Sequence, residues 1–289
     1  MEILIGADPE VFVAEKKSGA LTSGYNLIPG TKEHPHLVDL GAVQVDGMAL
    51  EFNIAPADSS AAFLNNINTV VGQLAAMVPD HELQFIPVAN FGKEYIQAQP
   101  KEAKELGCNP DFDAWTGKEN VPPDAETPFR TASGHLHIGW TEGEDIEDEG
   151  HRQDAFDVVK ALDATLGMYS LLLDPDKKRR KLYGKAGACR VKPYGVEYRV
   201  LSNFWLRDPD LIKLVYKVSH TVITALAEVQ DIEKAIDTYG ENVLWAYDYR
   251  LKSAQQIINE GDAKAARKFL KERGWKVTAH EWRAWVNEE

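Results

Sequence analysis

Hydrophobic and polar positions alternate in four separated stretches of the chain. In "GADPEVFV" (6–13), Asp8 and Glu10 fall on one side and Val11 and Val13 on the other. In "LEFNI" (50–54), Glu51 and Asn53 share a side, and Leu50, Phe52 and Ile54 take the opposite one. His135 and His137 alternate with Leu136 and Ile138, and Glu197 and Arg199 with Val196, Tyr198 and Val200. Residues two apart on a strand point the same way, so each stretch predicts a strand with one apolar and one chemically loaded face.

The remaining pattern predicts the other elements. "GAVQVDGMALEFNIAP" (41–56) reads as a hairpin turning at Asp46-Gly47. Residues 58–78 carry an Asp/Ser cap and apolar residues at 63, 67, 70, 71, 74 and 77, the spacing of an amphipathic helix. Residues 82–89 and 131–140 read as strands, 151–173 as a helix stopping before Pro175, and 177–203 as a basic turn followed by a hairpin. Residues 91–130 are rich in Gly, Pro, Asn and Asp and form a long loop, a length usually reserved for function or disorder. From Asp208 onward the pattern is helical and ends in a tail bearing Trp275, Trp282 and Trp285. Together these predict an α+β fold: a mostly antiparallel sheet with helices on one face. We divide it into a sheet-bearing part, 1–207, and a helical part, 208–289, packed on the same domain.

Composition narrows the class. At 289 residues, 44% apolar and 27% charged, the chain can bury a sizeable core. No run of about 18 apolar residues is present, and no basic-then-apolar leader opens the sequence, so neither a membrane span nor a secretion signal is expected. Cys108 and Cys189 suit neither a disulfide framework nor a paired-cysteine metal site, so the cytoplasm is the expected compartment. A formal net charge of −13 disfavours broad binding to nucleic acid or anionic membranes.

The loaded faces carry the chemistry. Alternation most often means a sheet with one solvated side. Here, however, the outward groups are acids, imidazoles and an arginine, with hardly any Thr or Lys. Asp, Glu and His with one amide make an oxygen-rich site suited to Mg²⁺ or Mn²⁺ more than to zinc. A bound cation would also neutralise the Asp8/Glu10 pair. Arg199, two residues from Glu197, is placed as phosphoryl transfer requires for charge stabilisation. The basic run 177–181 reads as a solvated turn. It leads into "YGKAGACR" (183–190), where small residues let Lys185 and Arg190 approach a phosphate closely. The acidic stretch 141–150 reads as a solubilising loop.

Four segments, "GADPEVF", "VDGMALEFN", "RTASGHLHIGW" and "YGKAGACRVKPYGVEYRVLSN", resemble in content and order the phage-type COOH–NH2 ligases. These are amidoligases of the glutamine synthetase and glutamate–cysteine ligase superfamily. The resemblance spans residues 6–203. It implies a curved sheet whose concave face holds ATP and divalent metal. It implies metal ligands at Asp8 and Glu10, from the acid-Pro-acid strand, where synthetases begin with Glu. It further implies Glu51, His135 and Glu197 as ligands, with His137 beside His135 at the nucleotide. Asp46 is the nearest candidate for a further acid of the synthetase site. Arg199 would grip the transferred phosphoryl group, with Arg190 and Lys185 as further phosphate contacts. The implied reaction is ATP-dependent joining of a carboxylate and an amine, on small molecules or peptides, through an acyl phosphate. The 91–130 loop is the candidate lid. In a phage-encoded protein the compartment would be the host cytoplasm.

Three other readings remain open on the sequence. A guanidino kinase can run on a similar sheet. His34, His36, His135 and His137 could together hold zinc for hydrolysis. A phage protein could also keep the fold without the activity.

Overall fold

A computed structural model describes residues 2–104, 111–120, 127–174, 176–228 and 251–288 of the chain. The first half contributes β1 (Leu4–Glu15), β2 (Leu21–Thr22), β3 (His36–Val38), β4 (Gly41–Asp46), β5 (Ala49–Ile54), α1 (Ser60–Met77), β6 (His81–Gln84), β7 (Val88–Asn90), α2 (Lys93–Gln97) and α3 (Lys101–Lys104). Then follow β8 (Phe112–Asp113), β9 (Lys118–Glu119), β10 (Phe129–Thr131), β11 (Gly134–Gly139), α4 (Glu149–Leu162), α5 (Met168–Leu173), α6 (Lys178–Leu182), β12 (Ala188–Lys192), β13 (Gly195–Tyr198) and α7 (Pro209–Glu228). Three helices close the chain: Leu251–Glu260, Ala263–Glu272 and Ala279–Val286.

Among the described residues one sheet has the order β3-β4-β5-β1-β11-β13-β12-β8-β9, with β2 and β6 paired on the far part of β1. All its pairings are antiparallel. One face is apolar: Ile5, Val11, Val13, Leu50, Phe52, Leu136, Ile138, Val196 and Val200 are all buried. Helix α1 covers it with Phe63, Ile67, Val70 and Leu74, the predicted stripe, and starts where Ser59 accepts the Ala62 N–H. Helices α4 and α7 pack beside it. Each fully buried side chain of this size contributes roughly 1.5–3 kcal/mol, so this face anchors the sheet and leaves the other free for polar groups. The C-terminal helices join the same core through Ile258, Phe269, Leu270 and Trp282.

Several predicted elements are redrawn. The hairpin loop is Gly47-Met48, one residue later than expected, because Asp46 pairs with Ala49 and Gly47 takes a positive φ of 58°. The 82–89 strand splits: β6 joins β1, while β7 pairs with β10 in a separate ribbon after Pro87. The 131–140 strand likewise breaks at Ala132-Ser133. The 151–173 helix contains a π-helical stretch, Asp163–Gly167. There the buried Asp163 carboxylate accepts Trp115 Nε1 (2.7 Å), Gly187 N (2.7 Å) and Tyr198 OH (2.8 Å). These donors come from outside the helix and favour the local widening. The basic run 177–181 is not a solvated turn. It forms most of α6, where Arg179 and Arg180 are buried. In the 91–130 stretch, residues 105–110 and 121–126 lie outside the described residues, as does 229–250 of the helical part.

Candidate active site

The register of the sheet sets the polar groups side by side. Residues directly opposite in an antiparallel pair share a face. Glu10 lies opposite Glu51, Asp8 opposite His135, His137 opposite Glu197, and Glu197 opposite Arg190. The four loaded strands thus abut in the order β5-β1-β11-β13, with β12 next.

At the centre is Glu197, 1% exposed. Arg199 Nη1 donates to its Oε1. Lys192 Nζ lies 3.0 Å from its Oε2, and Arg190 Nη1 lies 3.7 Å from its Oε1. Burial alone would raise the Glu197 pKa, but Arg199, His137 and Lys192 hold it far below the usual carboxylate range. His135 is the reverse case: burial and then the Arg199 charge keep its imidazole neutral, its pKa well below the ordinary value. Its Nδ1 sits 3.3 Å from Arg199 Nη1, 3.5 Å from Glu197 and 3.7 Å from Asp8. For His137, burial opposes the charged form, yet Asp8, with its Oδ1 3.0 Å from Nε2, outweighs it and raises the pKa. The Glu10 carboxyl is raised by burial and by Asp46; Glu51 is raised well above the ordinary value by burial, then by Asp8, Asp46 and Glu10.

This acid-rich floor fits a hard cation. Ligand atoms of Asp8, His137 and Glu197 lie within 4.8 Å of one another. Asp8 Oδ1 is buried and pairs with His137 Nε2 at 3.0 Å, a contact that a cation held between the two groups would replace. His137 Nδ1 is engaged by Tyr194 OH, a contact that orients the ring and presents Nε2.

Of the residues read from sequence, Asp8, Glu10, Glu51, His135, Arg190 and Arg199 line one cavity of ≈ 610 Å³. Glu197 is not in its lining but is buried against two residues that are, Arg199 and Arg190. His137, expected at the nucleotide, belongs to the close metal-capable trio, whereas His135, expected as the ligand, turns its Nδ1 toward Arg199. Asp46 lines the cavity too and pairs with Lys32 at 2.8 Å. Lys185 is exposed and lines none of the cavities described in this section. His34 and His36 are exposed on the edge segment around β3, and among the described residues they join no group able to hold a metal with His135 and His137.

Two further cavities adjoin the floor. One of ≈ 680 Å³ includes Asp8, Glu51, His137, Trp140 and Tyr194 in its walls. A smaller one of ≈ 70 Å³ is reached from Glu10, His135 and Arg199.

Sequence reasoning missed several partners. Lys192 and Arg190 are two apart on β12 and therefore share a face, so Lys192 was legible by the same alternation. Tyr194, in the β12–β13 turn, and Asp111, whose Oδ2 is 3.2 Å from Arg199 Nε, were not, because turn and loop residues carry no periodicity. Gln44 donates to Glu51 Oε2 at 2.8 Å from the neighbouring strand.

A match to one family model agrees with the motifs. Residues 129–255 match the family described as phage phiEco32-like COOH.NH2 ligase, type 2. The matched segment carries His135, His137, Lys185, Arg190, Glu197 and Arg199, and it supports the ligase family to which the motifs point. No curated protein matches the chain. A solved structure described as a novel glutamine synthase homolog is similar over 93% of this chain and 71% of its own, at 12% identity and a TM-score of 0.36. Among the described residues no helix is long and apolar enough to cross a membrane.

Proposed function

We propose that the chain is an ATP-dependent carboxylate–amine ligase. The observation that carries this reading is the meeting of Asp8, His137 and Glu197 beside Arg199 and Arg190 on one polar sheet face. The family match to residues 129–255 supports the same class of reaction.

Asp8, His137 and Glu197 would hold Mg²⁺ or Mn²⁺, with Glu10 and Glu51 available to a second ion. Such a cation, when bound, neutralises phosphate charge and polarises a phosphoryl oxygen. The ≈ 680 Å³ cavity is roomy enough for a nucleotide and offers Trp140 and Tyr194 as ring surfaces. The carboxylate oxygen of the acid attacks the γ-phosphorus, and the bond between it and the β,γ-bridging oxygen breaks, leaving ADP and an acyl phosphate. The amine nitrogen then attacks the acyl carbon, inorganic phosphate leaves, and the nitrogen gives up a proton to form the amide. Arg199 and Arg190 neutralise the charge of the phosphoryl group in transit. Glu197 and Asp111 fix the Arg199 guanidinium from two sides, so it needs little reorganisation.

The test is product analysis of purified protein supplied with ATP, Mg²⁺ and panels of acids and amines. Release of ADP and inorganic phosphate that requires both an acid and an amine supports the reading. A phosphorylated acceptor without inorganic phosphate would instead mark a kinase.

A further inference from the structure

We infer that Lys32 is a phosphate-binding residue of the nucleotide cavity, one that exchanges its partner Asp46 for the triphosphate of ATP. The inference rests on the ligase reading for the identity of the ligand.

A triphosphate needs positive charge along its whole length. Arg190 and Arg199, assigned above to the phosphoryl group in transit, line the ≈ 610 Å³ central cavity and not the ≈ 680 Å³ one. The walls of the larger cavity carry the acids Glu2, Asp8, Glu51 and Glu142. Among the described residues, Lys32 is the only Lys or Arg in those walls. It also lines the central cavity, so it stands where the two meet. A nucleotide with its base beside Trp140 and Tyr194 has to cross that junction to bring its γ-phosphorus to Arg199 and Arg190.

The chain builds a turn that presents this lysine. Gly30 O accepts the Val45 N–H at 3.2 Å, and the main chains of Thr31 and His34 bond each other at 3.1 and 3.2 Å. Gly30 has a φ of 97°, and a Cβ on it would fall 2.4 Å from Val43 O and 2.8 Å from His36 N. Glycine supplies that conformation without a side chain to clash. The turn is thereby seated against β3 and β4, and Lys32 Nζ lies 2.8 Å from Asp46 Oδ1.

This ion pair can give way. The Lys32 side chain is 39% exposed and that of Asp46 is 19% exposed. An ion pair so open to water contributes little stability, and breaking it costs correspondingly little. Burial opposes the Lys32 charge, yet Asp46, and after it Glu51 and Glu10, outweigh burial and raise the pKa. The ammonium therefore stays charged for an incoming anion. Lysine is a compact point charge on a flexible four-carbon stem, which lets it leave a carboxylate for a phosphate nearby.

The experiment is calorimetric titration of the full chain in Mg²⁺ with ATP and with adenosine, at about 0.15 M salt, where charges more than about 8 Å apart are largely screened. Lys32→Gln should weaken ATP binding about 10-fold or more, the scale of one lost hydrogen bond to a charged group, and leave adenosine within about twofold. Lys32→Arg should keep part of the ATP affinity. Lys32→Gln combined with Asp46→Asn should bind ATP as weakly as Lys32→Gln alone. ATP affinity within about twofold of wild type in Lys32→Gln overturns the inference. So does an equal loss for ATP and adenosine, which would mark a damaged cavity. Recovery of ATP binding in the double variant overturns it too, because Lys32 would then act only by neutralising Asp46. Failure of wild-type protein to bind ATP contradicts the ligase reading and this inference with it, whereas wild-type binding that Lys32→Gln leaves intact contradicts this inference alone.

Discussion

Glu10 on β1 and Glu51 on β5 stand directly opposite each other in the antiparallel register. Like charges opposed in this way destabilise a sheet by roughly 0.2–1 kcal/mol. Both carboxyl pKa values are raised, by burial first and by neighbouring acids second. Glu51→Gln should therefore stabilise the metal-free protein by about that amount, while reducing the rise in Tm on adding Mg²⁺. Thermal melts of both proteins with EDTA and with Mg²⁺ check this. A variant less stable in EDTA, with an undiminished Mg²⁺ response, would remove Glu51 from the cation site.

Arg199 is 7% exposed and faces Glu197, Asp111 and His135. Arg199→Ala should both destabilise the fold, by leaving buried Glu197 less compensated, and abolish ligation. Arg199→Lys separates the two effects. It keeps the charge but cannot span Glu197 and Asp111 with a rigid fork, so ligation should fall by roughly 10²-fold while ATP affinity changes little. Turnover near wild type in Arg199→Lys would show that the group does not meet the charge developing during transfer.

Asp163 gives a pH dependence. Burial raises its pKa from 3.8 to about 7, against the hydrogen bonds from Trp115, Tyr198 and Gly187. The folded chain thus holds this proton more tightly than the unfolded chain. The stability it contributes is fully present below about pH 3.8 and is lost as pH rises through about 7. Asp163→Asn can accept from Trp115 and Gly187 through its amide oxygen and donate to Tyr198 through its nitrogen. Urea unfolding at pH 5 and pH 8 should show a smaller loss of stability with pH in Asp163→Asn than in wild type. Equal losses would mean that Asp163 does not titrate in this window.

Gly134 explains the glycine before the His-x-His stretch. A Cβ there would fall 2.4 Å from Trp205 Nε1 and 2.5 Å from Ser202 O. Gly134→Ala must displace backbone or a packed indole, and overpacking of this kind costs typically 1–3 kcal/mol. The next residue is His135, so the variant should lose activity as well as stability. Chemical denaturation and the ligation assay on the same preparation test both.

Much of this site was legible because the side-chain period of a strand is independent of its partners. Alternation alone set Asp8 with Glu10, His135 with His137, and Glu197 with Arg199. It could not say which residues stand opposite. That needs the register, and the register puts His137 rather than His135 opposite Glu197. Buried charge was equally hidden. Arg179 and Arg180 sit in a run of five cations that reads as solvated, and only the packing of α6 buries them. Asp111 and Tyr194 reach the site from a loop and a turn, where no period marks them. The π-helical stretch at Asp163 depends on three donors from distant segments, which a local helical pattern cannot report.

The central claim is that Asp8, His137 and Glu197 hold a divalent cation against nucleotide phosphate. Anomalous diffraction from crystals grown with Mn²⁺ and a non-hydrolysable ATP analogue tests it most directly. The account predicts a manganese peak at coordination distance, about 2.0–2.6 Å, from oxygen atoms of Asp8 and Glu197 and from His137 Nε2, with analogue phosphate oxygens on the same ion. A well-ordered analogue with no manganese at these residues, or manganese and phosphate both bound elsewhere, would contradict it.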